Sequence, residues 1–265
     1  MKIGVTQIVI PEMSLEESLD LCKEAGYECI ELSFREGGPL DINMSKSEIK
    51  EVRKKCDDAR IEIASVIGGY AGVASGNMLS PDPVERGKRS KSVARILEIG
   101  NILGVDGMLL HPGQLTSAGT YQEAWDAFLE ELKKLAPLAQ SKKVAICVEN
   151  VWNKFLLSPR EMREFVDAVG SDWVGTYLDT GNMMAYGYTE HWIRALGSRI
   201  KKVHFKDFKR REHRFVNLLD GDTDWALVMK EFRDIGYDSY VIHEVGGDRE
   251  ELIDLAERMR KIVAT

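Results

Sequence analysis

The sequence has no long apolar run, no net positive charge, no closely paired cysteines and few histidines, and each absence removes a class of protein. No stretch is long and apolar enough to cross a bilayer, so no membrane partner is expected. The four cysteines, Cys22, Cys29, Cys56 and Cys147, are widely spaced. Such spacing points to neither a disulfide framework nor a zinc knuckle, and a reducing cytoplasm is the default location. The net charge of −7 argues against a protein that coats nucleic acid or an anionic membrane, so nucleic acid is not an expected partner. No charged-then-apolar signal segment opens the chain, because Met1–Gln7 runs directly into a strand pattern. No Pro/Gly/Ser-rich linker divides it. No G-x-G-x-x-G fingerprint follows the first strand; the near match Gly68-Gly69-x-x-Gly72 follows the third and opens no helix.

What remains is an ordinary globular composition, 44% apolar and 30% charged over 265 residues, enough to bury a large core. That length allows two small domains or one large barrel, and the alternation of patterns decides between them. β-rich runs occur near Lys2–Gln7, Cys29–Phe34, Glu62–Ile67, Gly107–His111, Val144–Glu149, Val174–Asp179, Lys201–Phe205 and Tyr240–Glu244. Amphipathic helical runs follow them near Ser14–Ala25, Ser47–Ala59, Pro83–Leu103, Tyr121–Gln140, Pro159–Val169, Glu190–Gly197, Trp225–Ile235 and Arg249–Val263. Ser14 with Glu17 reads as a capping box, and Ser158-Pro159 as a cap before an N1 proline. Gly26 and Gly236 stand where helices end. Strict strand–helix alternation implies a parallel sheet covered by helices. Eight units in about 250 residues predict an α/β fold, a single-domain (β/α)8 TIM barrel over residues 1–265, rather than a doubly wound sheet. The longest irregular stretch, Gly68–Asp82, reads as a lid.

Side-chain alternation fits a closed barrel. In Val144–Glu149, the bulky Val144, Ile146 and Val148 share one face, while Ala145, Cys147 and Glu149 share the other. The bulky set would face the helices, the smaller set the barrel axis. The last four strands end in ionisable residues: Glu149, Asp179, His204 and Glu244. Their separations of 30, 25 and 40 residues correspond to successive units. In a barrel these C-terminal ends ring one mouth, where barrel chemistry sits. Three carboxylates and an imidazole around one point make a hard, oxygen-rich site suited to Mn²⁺, Mg²⁺ or Co²⁺. Acidic strand ends that merely solvate loops are the structural alternative.

The segments Val148-Glu149-Asn150, Leu178-Asp179-Thr180-Gly181-Asn182, Val203-His204-Phe205-Lys206-Asp207, Gly221-Asp222-x-Asp224-Trp225 and His243-Glu244-Val245 resemble the xylose-isomerase-like barrel superfamily. Within it they resemble most the sugar phosphate isomerase/epimerase branch, with its ketose 3-epimerases and L-ribulose-5-phosphate 3-epimerases. The resemblance covers essentially the whole chain. It implies a divalent metal, Mn²⁺ first, with Mg²⁺, Co²⁺ or Zn²⁺ as alternatives, held by Glu149, Asp179, His204 and Glu244. It also implies that Glu149 and Glu244 act as the acid/base pair on a sugar or sugar phosphate. Relatives of this kind are often dimers or tetramers, so a homodimer or homotetramer is implied. The chemistry is coherent. Epimerising a carbon beside a ketone needs a proton removed from one face and returned to the other, and two opposed carboxylates can do both. A metal on the neighbouring oxygens stabilises the enediolate as its charge develops. The same apparatus would serve an isomerase.

Two positions depart from the free-ketose 3-epimerases. Asn182 replaces a histidine three residues after the aspartate, and Phe155 replaces a glutamate six residues after the first glutamate. Arg210 keeps an arginine six residues after the histidine. Six residues are candidates for substrate binding: Glu31, His111, Trp152, Asn182, Lys206 and Arg210. Glu31 points inward by alternation, and an internal polar contact is its structural alternative. His111 ends the fourth strand on the mouth side, or else closes a loop. Trp152 follows the first glutamate and would wall the pocket, unless it only packs a loop. Lys206 shares the strand face of His204. The basic run of Lys206, Lys209, Arg210, Arg211, His213 and Arg214 would hold a phosphate, or is a solvated loop balanced by Asp207 and Glu212. His243 alternates outward and reads as structural.

Three other functions share parts of this pattern. A lyase or dehydratase acting on inososes or 3-keto glycosides would use the same metal site. An apurinic endonuclease needs a histidine-rich cluster that five histidines do not supply. A non-enzymatic binding barrel would have lost part of the Glu149, Asp179, His204, Glu244 set.

Overall fold

The structure, a computed structural model, describes residues 1–68 and 76–265. Eight parallel strands close into a barrel: β1 (Lys2–Thr6), β2 (Cys29–Ser33), β3 (Glu62–Ile67), β4 (Gly107–Leu110), β5 (Ala145–Glu149), β6 (Val174–Asp179), β7 (Ile200–Phe205) and β10 (Tyr240–His243). Each strand pairs with its neighbour in sequence, and β10 closes the ring on β1 through Lys2↔Tyr240 to Val5↔His243. A short antiparallel hairpin, β8 (Asp207–Lys209) with β9 (Arg214–Val216), is inserted after β7. Helices α1 (Leu15–Ala25), α2 (Lys46–Ala59), α3 (Pro83–Leu103), α4 (Tyr121–Lys142), α5 (Pro159–Val169), α6 (Thr189–Leu196), α7 (Trp225–Asp234) and α8 (Arg249–Val263) cover the outside. The expected (β/α)8 barrel is therefore the observed one.

Local chemistry sets the boundaries. Full capping boxes open five helices, with Ser14/Glu17, Ser45/Glu48, Thr120/Glu123, Ser158/Glu161 and Asp248/Glu251 as the reciprocal pairs. Each pairing satisfies two backbone N–H groups that a helix start would otherwise leave open. Gly26 ends α1 at φ 74°, a left-handed conformation that a side chain would strain.

The core has two layers. The larger lies between barrel and helices and contains the outward faces of the strands, such as Val144, Ile146 and Val148. The smaller fills the barrel with Cys29, Ala64, Ile67, Leu109, Ala145, Cys147, Tyr177 and Ile242. Space there is tight: a Cβ on Gly4 would meet Cys29 Sγ at 2.5 Å. At the N-terminal end, Lys202 is buried, paired with Asp106 at 2.6 Å and lying over the Tyr240 ring. A filled interior leaves the C-terminal mouth as the place for chemistry.

One expectation needs correction and another is not reached. The basic stretch after β7 is a hairpin rather than an open loop. The proposed lid Gly68–Asp82 lies partly outside the described residues, as does the Gly68-Gly69-x-x-Gly72 match. Its described end is anchored: Met78 and Leu79 are buried, Met78 N donates to Pro112 O, and Asn77 Nδ2 donates to Gln114 O. Among the described residues, no helix is long and apolar enough to cross a membrane.

Candidate metal centre

Four consecutive barrel strands bring one ionisable side chain each to the mouth. Glu149 is the last residue of β5, Asp179 the last of β6, His204 the penultimate residue of β7, and Glu244 follows β10. Register aligns Asp179 with His204. Glu244 N donates to Phe205 O at 3.1 Å, which carries the β7–β10 ladder one residue beyond the strand. One atom from each of the four side chains lies within 4.8 Å of the others. Glu149, Asp179 and His204 are buried, and Glu244 nearly so.

The hydrogen bonds leave two buried atoms aimed at this point without partners. Asp179 Oδ1 accepts from Gly181 N at 2.8 Å and Asn182 N at 2.7 Å, while Oδ2 accepts no hydrogen bond and lies 3.4 Å from Lys206 Nζ. His204 Nε2 lies 2.9 Å from Glu31 Oε2; Nδ1 has no hydrogen-bond partner and faces Glu244 Oε2 at 3.5 Å. An unsatisfied buried polar atom costs about 1–3 kcal/mol. Two such atoms beside two more carboxylates fit a divalent cation with oxygen and imidazole ligands. The residues present therefore suit the metal that the sequence pattern implies.

Electrostatics separate the two glutamates. Burial pushes the Glu149 carboxyl well above the usual range, and the Glu244 and Asp179 charges add to it. Burial also opposes ionisation of Glu244, but His204 and Lys206 outweigh it and hold that carboxyl well below the usual range. Burial raises Asp179 too, partly offset by Lys206. For His204 burial favours the neutral ring, yet Glu31 and Glu244 overcome it and raise the imidazole well above its ordinary value. One glutamate thus holds a proton while the other is ionised.

The remaining candidates divide into two groups. Lys206 and Asn182 join the centre. Lys206 Nζ donates to Glu244 Oε2 at 2.8 Å, and Asn182 Nδ2 donates to Asn150 O at 2.9 Å with Glu149 Oε1 at 3.5 Å. Trp152 stands beside it, its indole N–H donating to Asn182 O at 2.6 Å and its ring stacked on His213 and Phe215. His111 follows β4; its Nδ1 accepts from Gly113 N, and burial, with Arg89 nearby, pushes its pKa down to about 4. Arg210 makes its contacts on the loop after β6 rather than with the four clustered side chains. It donates to Met184 O at 2.9 Å and Gly187 O at 2.7 Å and lies over the Tyr188 ring, so its charge braces the loop after β6. Glu31 is not at the open face. It is fully buried, and its oxygens accept from Ser65 Oγ and Tyr177 OH, both at 2.7 Å, and meet His204. Phe155 is core, packed against Tyr121 and Phe165.

A cleft of about 670 Å³ opens beside Glu244, lined also by Lys206, Lys209, Arg214, Phe215 and Asn217. Its wall is the β8–β9 hairpin, with Phe215 4.6 Å from Lys206 Nζ. Arg214 and Lys209 both pair with Glu212, at 2.6 and 3.7 Å, which partly neutralises the basic run.

Several residues that hold this geometry were not singled out by sequence reasoning, or, like Asp207, were read only as a counter-charge to the basic loop. Asn150 bonds both backbone groups of Asp179: Oδ1 accepts from N at 2.9 Å and Nδ2 donates to O at 3.0 Å. Thr180 Oγ1 accepts from Lys206 N and donates to Lys206 O. The buried Asp207 carboxylate accepts from Leu219 N, Gly221 N, Thr223 Oγ1 and Trp225 Nε1, and so fixes the segment after the hairpin. Their positions in the short motifs were the available signal. Ser65 and Tyr177 offered only their inward alternation.

Comparison with known proteins agrees with this picture. A family model described as xylose isomerase-like TIM barrel matches residues 19–262. A Haemophilus influenzae protein named "Putative L-ribulose-5-phosphate 3-epimerase SgbU" is 24% identical over 280 residues, spanning 99% of this chain and 95% of its own. The crystal structure of a D-tagatose 3-epimerase-like protein superposes with a TM-score of 0.84 at 20% identity, covering 100% of this chain and 97% of its own. That of IOLI protein, which holds a zinc atom, superposes with a TM-score of 0.82 at 19% identity, covering 100% and 98%.

Proposed function

The chain belongs to the xylose isomerase-like TIM barrel family, and from that premise we propose that it is a divalent-metal-dependent sugar or sugar-phosphate epimerase or isomerase of the ketose 3-epimerase type. The observation that carries the reading is the convergence of Glu149, Asp179, His204 and Glu244 at the barrel mouth, with Asp179 Oδ2 and His204 Nδ1 without hydrogen-bond partners. These four residues would hold the ion, with Mn²⁺ the first choice and Mg²⁺, Co²⁺ or Zn²⁺ as alternatives. When bound, the cation supplies positive charge beside the carbonyl and hydroxyl oxygens of the sugar, favouring loss of the adjacent proton. Glu149 ends β5 and Glu244 follows β10, two strands separated by β6 and β7, an order that supports carboxyls approaching a bound sugar from different sides. In this reading one removes the proton from the carbon beside the ketone and the other delivers a proton to the opposite face. Lys206 orients Glu244 through its 2.8 Å bond and stands where it can meet a substrate oxygen. Asn182 holds Glu149, and Trp152 fixes Asn182 from above. The names of the relatives support a sugar substrate. The cleft beside Glu244, with Lys209 and Arg214 on its wall, leaves room for a phosphorylated end.

The experiment is a panel of free ketoses, phosphorylated ketoses and 3-keto glycosides, incubated with Mn²⁺ and the protein in D₂O and read by NMR. The expected result is deuterium at the carbon next to the ketone, together with an epimeric or isomeric product. Loss of water or of an aglycone would replace this reading by a lyase. No deuterium incorporation with any substrate would remove it.

A further inference from the structure

Beneath the four mouth residues lies a buried polar network that does not reach the open cleft. Glu31 on β2 accepts from Ser65 Oγ on β3 and from Tyr177 OH on β6, both at Oε1 and both at 2.7 Å. Its other oxygen, Oε2, lies 2.9 Å from His204 Nε2 on β7. In the closed strand order β2 stands opposite β6, and β3 opposite β7, so these bonds cross the barrel interior and form a floor under the site. The Tyr177 ring packs against the His204 ring with centroids 4.4 Å apart. Glu31, Ser65 and Tyr177 are each fully buried.

The donor count is decisive. A carboxylate only accepts, so Nε2 must carry the proton in its contact with Oε2. The two hydroxyls spend their hydrogens on Oε1, which holds the carboxylate plane. Nδ1 is then the nitrogen that gives up its proton and offers its lone pair when a cation binds, and it is the buried ring atom that lacks a hydrogen-bond partner and faces Glu244. We propose that Glu31 is a positioning residue that, with Ser65 and Tyr177 behind it, fixes the tautomer and plane of His204 so that Nδ1 is presented to a divalent cation. This rests on the metal-site part of the function proposed above. A group that orients a ligating histidine through its other nitrogen typically changes metal affinity by about 10–100-fold when removed.

The test is read on metal binding and on the ring nitrogens, not on turnover. The wild-type protein is titrated with Zn²⁺ by calorimetry, and the ¹⁵N-labelled zinc-loaded form is examined by two-bond ¹H–¹⁵N correlation of the histidine rings. The proposal expects His204 with a protonated Nε2 and a zinc-shifted Nδ1. The opposite assignment, Nε2 on zinc and Nδ1 protonated, overturns it without any mutation. Glu31→Gln should weaken Zn²⁺ binding about 10–100-fold and shift the His204 resonances. Tyr177→Phe, which removes one hydroxyl and keeps the ring packing, should weaken binding by a smaller factor in the same direction. Unchanged affinity and unchanged ring resonances in a folded Glu31→Gln or Tyr177→Phe protein overturn the proposal. If the wild-type protein bound no Zn²⁺ at all, the failure would belong to the metal-site reading instead.

Discussion

Raising the pH should tighten divalent-metal binding steeply, because the ion must displace protons that the site itself retains. Two groups set the count. Glu149 is held well above the usual carboxyl range by burial and by the neighbouring carboxylates, and His204 is held well above the usual imidazole range by Glu31 and Glu244. Each therefore holds its proton to higher pH than a free group would, at an atom the cation needs. One displaced proton is worth about 1.4 kcal/mol, or about tenfold in affinity, per pH unit. Mn²⁺ affinity should therefore rise with pH, by up to about tenfold per pH unit for each proton displaced, until both groups have lost their protons in the metal-free protein. The sign for the metal-free fold is opposite. Both groups have raised values in the folded state, so their stabilising contribution is present at low pH and lost as pH rises through those values. The metal-free protein should then weaken toward alkaline pH while the metal-bound protein does not. Calorimetric titration with Mn²⁺ in two buffers of different ionisation enthalpy measures the protons released directly. Release of protons on binding, up to two per ion, fits the site as described. A pH-independent affinity with no proton released would refute the electrostatic argument.

Further outcomes follow from other parts of the molecule. Glu149→Gln and Glu244→Gln should each lower turnover by about 10²–10⁴-fold and stop exchange of solvent deuterium into the substrate. Exchange that persists in either variant would remove that glutamate from the acid/base pair. Asp207→Asn should cost about 2–4 kcal/mol, measured by urea unfolding, and speed amide exchange between Phe208 and Thr223, because the carboxylate accepts from six groups in that segment and at α7. An unchanged midpoint would mean the segment is held by packing alone. Two buried neutral histidines should make the protein acid-sensitive. Burial lowers His111 to about 4 and His243 to about 3. Their contribution is full above the unfolded value of about 6.5 and is lost as pH falls toward those folded values, at up to about 1.4 kcal/mol per pH unit for each proton. A stability profile flat from about pH 6.5 to about pH 4 would contradict this assignment.

The eight barrel strands and their helices were legible because each signal was local. Strand alternation, capping boxes such as Ser14/Glu17 and glycine ends such as Gly26 need no knowledge of distant residues. The convergence of Glu149, Asp179, His204 and Glu244 was legible for a related reason: one ionisable group per unit, at matching strand ends, becomes a ring once the barrel closes. The hairpin β8–β9 was not legible. Its strands have three residues each, carry charges, and are held partly by Asp207 reaching across to Leu219, Gly221 and Trp225. The placements of Arg210 and Glu31 failed to appear for the same reason. Arg210 ends on carbonyls of Met184 and Gly187, and Glu31 meets Tyr177 and His204, 146 and 173 residues away. Alternation said that Glu31 points inward; only the closed barrel says what it meets there. His243 was read correctly as structural: its Nε2 lies 2.7 Å from Tyr27 OH, between the barrel and its helices.

A single divalent ion held by four side chains at the barrel mouth would unite the buried carboxylates, the His204 ring and the proposed chemistry. Anomalous scattering from crystals grown with Mn²⁺ tests it most directly. The expected result is one strong peak about 2.0–2.3 Å from Asp179 Oδ2, His204 Nδ1 and carboxylate oxygens of Glu149 and Glu244. A fully occupied Mn²⁺ elsewhere, or none at this point at saturating metal, would contradict it.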